Sequence, residues 1–117
     1  MAPHPDSSRG VSATPEALLT ASEMFNAMRD PSRLRLLLLL ASGEKSVGDL
    51  VAAEQSKPGS ISARLKVLYF ARLVKRRREA KHVFYSLADE HVLTLLTSVL
   101  AHAAERFTPS PSHGEQS

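Results

Sequence analysis

The chain has 117 residues, enough for one small domain. Apolar residues make up 43% and aromatics only 5%, with no Trp, so the core must be built from Leu, Val and Ala. Cysteine is absent, which excludes a disulfide scaffold, a thiolate nucleophile, a zinc ribbon and a thiol-based metal or redox sensor.

The longest apolar run, Leu36 to Ala41, is far short of the roughly 20 residues that span a bilayer. The opening stretch lacks the apolar core of a signal peptide. Both features lead to the expectation of a cytoplasmic protein without a membrane partner. Charge is unevenly distributed. Between Lys57 and His82 stand nine Lys and Arg residues and one acid, Glu79, a formal +8 in a chain whose total is +3. The remainder is therefore −5. Such asymmetry points to a polyanion, nucleic acid first; a solvated basic face is the alternative.

Residues 1–13, rich in Pro and Ser, read as a disordered arm, and 108–117 as a disordered tail. The ordered domain is expected over 14–107. Thr14-Pro15-Glu16 starts a first helix, with a capping hydroxyl, Pro at the first helical position and an acid near the positive dipole end. Leu18, Leu19, Met24, Phe25 and Met28 give it a broad apolar face. Asp30-Pro31 starts a second helix in the same way. Leu34, Leu36 to Leu40 and Ala41 make that helix apolar almost all round, which predicts a buried central element ended by Gly43.

Ser46 and Asp49 form a capping-box pattern that opens a short helix through about Glu54. Pro58 suits the first turn of a fourth helix to about Phe70, with Ile61, Leu65 and Leu68 as its apolar stripe. The runs 73–79 and 82–87 predict a two-stranded hairpin. A final helix is expected from near Asp89 to about Phe107. Its apolar surface exceeds what one small domain needs, so part of it is available to a second subunit. Helices plus one hairpin in this order make a mostly α fold, a winged helix-turn-helix. In that fold 46–54 crosses the DNA backbone, 58–70 enters the major groove, and the hairpin reaches phosphates or the minor groove.

Five blocks carry a resemblance over residues 16–106: Asp30 to Leu37, Ser46 to Leu50, Ile61 to Leu68, Leu73 to Glu79, and Val83 to Leu87. In this order they resemble the ArsR/SmtB bacterial repressors. The resemblance implies a homodimer through the first and last helices that binds an inverted-repeat operator in double-stranded DNA. It implies release when an inducer, usually a metal ion, binds. Four positions depart from the family pattern: Arg64 where His is usual, Arg72 and Ala80 where Gly is usual, and the Pro58-Gly59 start of the fourth helix. Arg72 leads to the expectation that this helix ends differently.

One inducer site of the family uses cysteines and is impossible here. Another lies on the last helix and follows Asp-x-His, ten residues, His-x-x-(His or Glu). Asp89, His91, His102 and Glu105 match it position by position. His102 and Glu105 share a face as i and i+3. His91 and His102 differ by only about 20° around the helix, yet lie roughly 16 Å apart along it. One chain cannot close one site. Two such helices antiparallel across a two-fold axis would form two equal sites. Two imidazoles and two carboxylates suit Zn(II), and with added ligands Ni(II) or Co(II). Read singly, Asp89 is equally a helix cap, and His91, His102 and Glu105 are equally solvent-facing residues.

The DNA-contact candidates on the fourth helix are Ser60, Ser62, Ala63, Arg64 and Lys66, with Arg able to grip guanine through two bonds. Ser46 and Lys57 are candidate phosphate contacts. Arg76, Arg77, Arg78 and Lys81 form the wing footprint, with Arg77 on the opposite strand face from Arg76 and Arg78. Three alternatives remain beside a metal-responsive repressor. One is a winged-helix regulator governed by a co-regulator protein or another ligand. A metal hydrolase would need an open coordination position and offers no nucleophile–base pair. An RNA binder would have only Phe84 and Tyr85 in the hairpin for stacking. No organic cofactor is expected.

Overall fold

The computed structural model describes residues 10–107. Most of the expected N-terminal arm and all of the expected tail fall outside that range; residues 10–14 precede the first helix without regular structure. The elements are α1 (Pro15–Met28), α2 (Pro31–Leu40), β1 (Lys45–Ser46), α3 (Val47–Glu54), α4 (Pro58–Phe70), β2 (Val74–Glu79), β3 (His82–Leu87) and α5 (Glu90–Ala104).

Helix starts follow local chemistry. The Thr14 hydroxyl accepts from the Ala17 N–H at 3.1 Å, and Asp30 accepts from the Arg33 N–H at 3.1 Å while also bonding the Ser32 hydroxyl. At α3 the capping box is complete. Ser46 Oγ accepts from the Asp49 N–H at 3.0 Å, and Asp49 Oδ2 accepts from the Ser46 N–H at 3.1 Å. These bonds hold the Asp49 and Asp30 carboxyls below the usual range: chiefly the Ser46 N–H for Asp49, and the Ser32 hydroxyl for Asp30.

Three expectations need correction. The sheet has three strands in the order β1-β3-β2, because the extended residues leading into the α3 cap pair antiparallel with β3, Lys45 opposite Tyr85 and Ser46 opposite Phe84. A two-residue strand is too short to show alternation. Second, α2 is not buried all round. Leu36, Leu37 and Leu40 are buried, whereas Leu38 is 49% exposed and Leu34 and Leu39 only pack against the core margin. Third, α5 stops at Ala104. Residues 105–107 continue as turns whose N–H groups reach back three residues, the usual tightening of a helix end. Gly43 acts just beyond α2 rather than at its cap: with φ at +137° it donates to Leu40 and turns the chain into β1.

Leu36, Leu37, Leu40, Leu50, Ile61, Leu65, Leu68, Leu73 and Leu96 fill the core. Tyr85 and Val92 close it below the hairpin and α5. The core thus clamps one face of α4, through Ile61, Leu65 and Leu68, and leaves the remainder of that helix outward.

Candidate nucleic-acid interface and metal-ligand pairs

α4 begins at Pro58 with no side-chain cap from Lys57, which is exposed at the N-cap position. At about 100° per residue, Gly59 and Ala63 lie on the crest opposite the buried stripe. Ala63 is exposed there, and Ser60 is exposed about 80° away, toward the side of Arg64. Ser62 and Lys66 fall on one flank and face the wing. With Arg76, Arg77, Arg78, Val47, Val83 and Tyr85 they line a cleft of about 360 Å³. A neighbouring cleft of about 290 Å³ adds Ser46, Gly48, Lys81 and His82 to Ser62. The fold therefore gathers Ser46, Ser62, Lys66, Arg76, Arg77, Arg78 and Lys81 along one side of α4. Arg64 is not among them. It lines a different depression with Ser32, Arg35, Glu54 and Ser56.

Two wing arginines have protein partners that spacing could not reveal. Arg76 stacks its guanidinium 4.1 Å from the centre of the Tyr69 ring of α4. Hydrogen bonding to Tyr85, with help from Tyr69, raises its pKa further above the ordinary arginine range. Arg77 lies on the other face of the strand. It donates to both oxygens of Glu44 at 2.8 Å and to Glu79 at 2.7 Å, and stacks 4.5 Å over Phe84. The pair shifts both groups: Arg77 upward and Glu44 below the usual carboxylate range. Glu44 and Arg77 are 33 residues apart in sequence. Arg78 and Lys81 are exposed on the wing.

The end of α4 corrects one further expectation. Arg72 does not change how the helix stops. It adopts φ +66°, the left-handed cap that Gly would occupy, and the Leu73 N–H bonds back to Leu68 at 3.0 Å. Ala80 in the hairpin turn likewise takes φ +54°.

On α5 the four ligand-type residues form two separated pairs. Asp89 is the N-cap; its Oδ1 accepts from the Val92 N–H at 3.1 Å and lies 3.8 Å from His91 Nδ1. His102 Nδ1 lies 4.0 Å from Glu105 Oε1 near the other end. Both histidines are highly exposed, at 98% and 86% of the side chain. Among the described residues no three His, Asp or Glu side chains of one chain converge on a metal position. Each pair supplies one imidazole and one carboxylate, half of a tetrahedral set, so the donors fit a transition metal only when two copies combine.

Apolar surface lies beside α5. Phe25, Met28, Leu34 and Val99 line a cleft of about 410 Å³ between α1, α2 and α5, and Leu18 and Leu19 are also exposed. Among the described residues no helix is long and apolar enough to cross a membrane.

Residues 30–76 match the family described as bacterial regulatory protein, arsR family. A transcriptional repressor SmtB homolog of Synechocystis is 46% identical over 84 residues, covering 72% of this chain and 64% of that protein. The chain thus spans slightly less than two thirds of that relative's length. The transcriptional regulator KmtR of Mycobacterium tuberculosis is 37% identical over 92 residues, covering 78% of this chain and 70% of that protein. Among solved structures, the homodimeric winged helix-turn-helix DNA-binding domain of a possible ArsR-family regulator from Mycobacterium bovis superposes with TM-score 0.75. It is 33% identical, over 85% of this chain and 93% of that one. These relatives are regulators by name, not enzymes. With its capped helices, α4 held outward and basic three-stranded wing, the chain belongs to the ArsR family of winged helix-turn-helix transcriptional regulators.

Proposed function

We propose that the chain acts as a homodimeric cytoplasmic repressor, on the nucleoid when bound to its inverted-repeat operator, and that Zn(II) or Ni(II) modulates this binding. Co(II) suits the same donors. α4 meets base edges through Ala63 on its crest and Ser60 beside it. Ser46, Lys57, Ser62, Lys66, Arg76, Arg78 and Lys81 supply hydroxyl or cationic contacts around it. Arg77, tied to Glu44, orients the wing and adds charge.

The observation that carries the metal input is the pairing on α5. Asp89 with His91, and His102 with Glu105, stand about three helical turns apart on exposed surface. An antiparallel α5 pair would put Asp89 and His91 beside the partner subunit's His102 and Glu105. Asp89 caps α5 through Oδ1, which leaves Oδ2 without a hydrogen bond among the described residues. A bound ion would contribute charge and fixed ligand directions that hold the two α5 helices in one relative position. The chain's own residues then determine whether that position suits two α4 helices in successive major grooves.

The test is a titration of metal-stripped dimer with Zn(II), then Ni(II), followed by fluorescence anisotropy on its own upstream DNA at fixed salt. A large loss of affinity at one ion per subunit is expected, and it names the metal. Unchanged DNA binding would retain the regulator and transfer control to a co-regulator protein or another ligand.

A further inference from the structure

The two flanks of α4 differ. Ser62 and Lys66 face the wing, whereas Arg64, about 200° around the helix from Ser62, lines a depression of about 290 Å³ between α2, α3 and α4. Two guanidiniums and one carboxylate meet there. Arg35 donates through Nε alone to Glu54 at 3.0 Å, and Glu54 is only 11% exposed. The terminal nitrogens of Arg35, and the guanidinium of the half-buried residue Arg64, have no partner among the described residues. The nearby hydroxyls are already used as donors, Ser32 to Asp30 and Ser56 to the Glu54 carbonyl. The free donors of the depression are therefore arginine forks, whose planar geometry suits a phosphate.

A helix with its side chains measures about 10–12 Å across, close to the roughly 12 Å width of the major groove. When its crest meets the base edges, its flanks face the two sugar–phosphate walls. The crest of α4 is small where the helix begins, at Gly59 and Ala63, so that end can approach closely; exposed Phe70 closes the same crest at the other end. Resting on the DNA-binding function proposed above, we infer that Arg64 and Arg35 grip a backbone phosphate of the strand opposite the wing. Arg64 is then a positioning contact and not a base reader. The wing flank and the Arg64 flank together hold α4 centred in the groove.

Salt dependence separates the two roles, because each phosphate contact contributes about −0.9 to the slope of log K against log salt, and a base contact contributes little. Arg64→Gln, Arg64→Lys and Arg35→Gln would be compared with the unaltered protein on the upstream duplex and on a random duplex of equal length. Unfolding midpoints would be recorded for each variant. In a homodimer Arg64→Gln should reduce the slope by up to about 1.8, one phosphate per subunit, so a fourfold rise in salt weakens its binding up to about 12-fold less than that of the unaltered protein. Affinity should fall equally on both duplexes, Arg64→Lys should restore most of the slope, and Arg35→Gln should change it in the same direction. Loss confined to the upstream duplex with an unchanged slope would make Arg64 a base reader and overturn the assignment. So would unaltered binding to both duplexes. If the unaltered protein itself bound neither duplex, the DNA-binding function would fail, and this assignment with it.

Discussion

Among the described residues, three other than Gly occupy the left-handed region: Gln55 at φ +51°, Arg72 at +66° and Ala80 at +54°. Each sits where the chain must reverse, after α3, after α4 and in the hairpin. A Cβ in that region costs roughly 1 kcal/mol, and the surrounding bonds hold it in place. At Arg72 those bonds are the N–H of Leu73 to Leu68 and of Arg72 to Tyr69, both at 3.0 Å. Arg72→Gly should therefore raise stability by about 0.5–1 kcal/mol, read as a higher urea midpoint with an unchanged slope. A lower midpoint would mean that the Arg72 side chain contributes more than its backbone costs. The carboxyls of Asp49, Glu44 and Asp30 also act at this scale. All three are held below the usual range by hydrogen bonds or by Arg77. The unfolded chain then binds protons first as pH falls, so their stabilisation is complete above about pH 5 and is lost toward and below pH 4. Thermal midpoints should fall over that window, and Asp49→Asn should make the fall shallower.

At the scale of elements, α3 depends on its cap. It has eight residues, too few to persist without tertiary support, and the reciprocal Ser46–Asp49 bonds satisfy donors at its start. Ser46→Ala should cost about 1 kcal/mol of stability in thermal or urea unfolding. Because Ser46 also lines the cleft that contains Lys81 and Ser62, an additional loss of DNA affinity would mark it as a phosphate contact. An affinity unchanged in the folded variant would confine Ser46 to capping. The wing is likewise tied down on both faces. Arg76 stacks on Tyr69 of α4, and Arg77 bridges to Glu44 before β1. β2 consequently cannot swing away from α4 without breaking the Arg76–Tyr69 contact, nor away from the segment before β1 without breaking the Arg77–Glu44 pair.

For the whole molecule, exposed apolar side chains cluster on α1 and α5 around one cleft. Phe25, Leu18, Leu19 and Val99 remain exposed, and Phe25 and Val99 flank an almost wholly apolar cleft. A second copy of the chain would cover them, in keeping with the surplus of apolar residues in the last helix. Phe25→Glu should shift the chain toward monomer in sedimentation or light scattering, and reduce operator affinity with it; a variant still dimeric would place the interface elsewhere. The ligand pairs give a sharper test of the same assembly. His91→Ala and His102→Ala should each abolish both metal sites of a homodimer. Mixed heterodimers should recover one, because one chain would still offer Asp89 and His91 and the other His102 and Glu105. Properly formed heterodimers that recover no binding would contradict the cross-subunit arrangement.

Helix starts were legible in the residues alone, because capping is decided within four residues. Thr14, Asp30, Ser46 and Asp89 each accept the N–H three residues on. The Ile61, Leu65 and Leu68 stripe, the hairpin and the charge of the 57–82 segment were equally local. The family resemblance added the α5 ligand pattern, and periodicity alone showed that one chain could not close it. Tertiary structure decided what depends on distant partners. It paired Lys45 and Ser46 with β3, left Leu38 outside the core, joined Glu44 to Arg77, and separated Arg64 from Ser62 into different clefts. Local spacing specifies which way a side chain leaves its own element. Only the packing of other elements determines what it meets there.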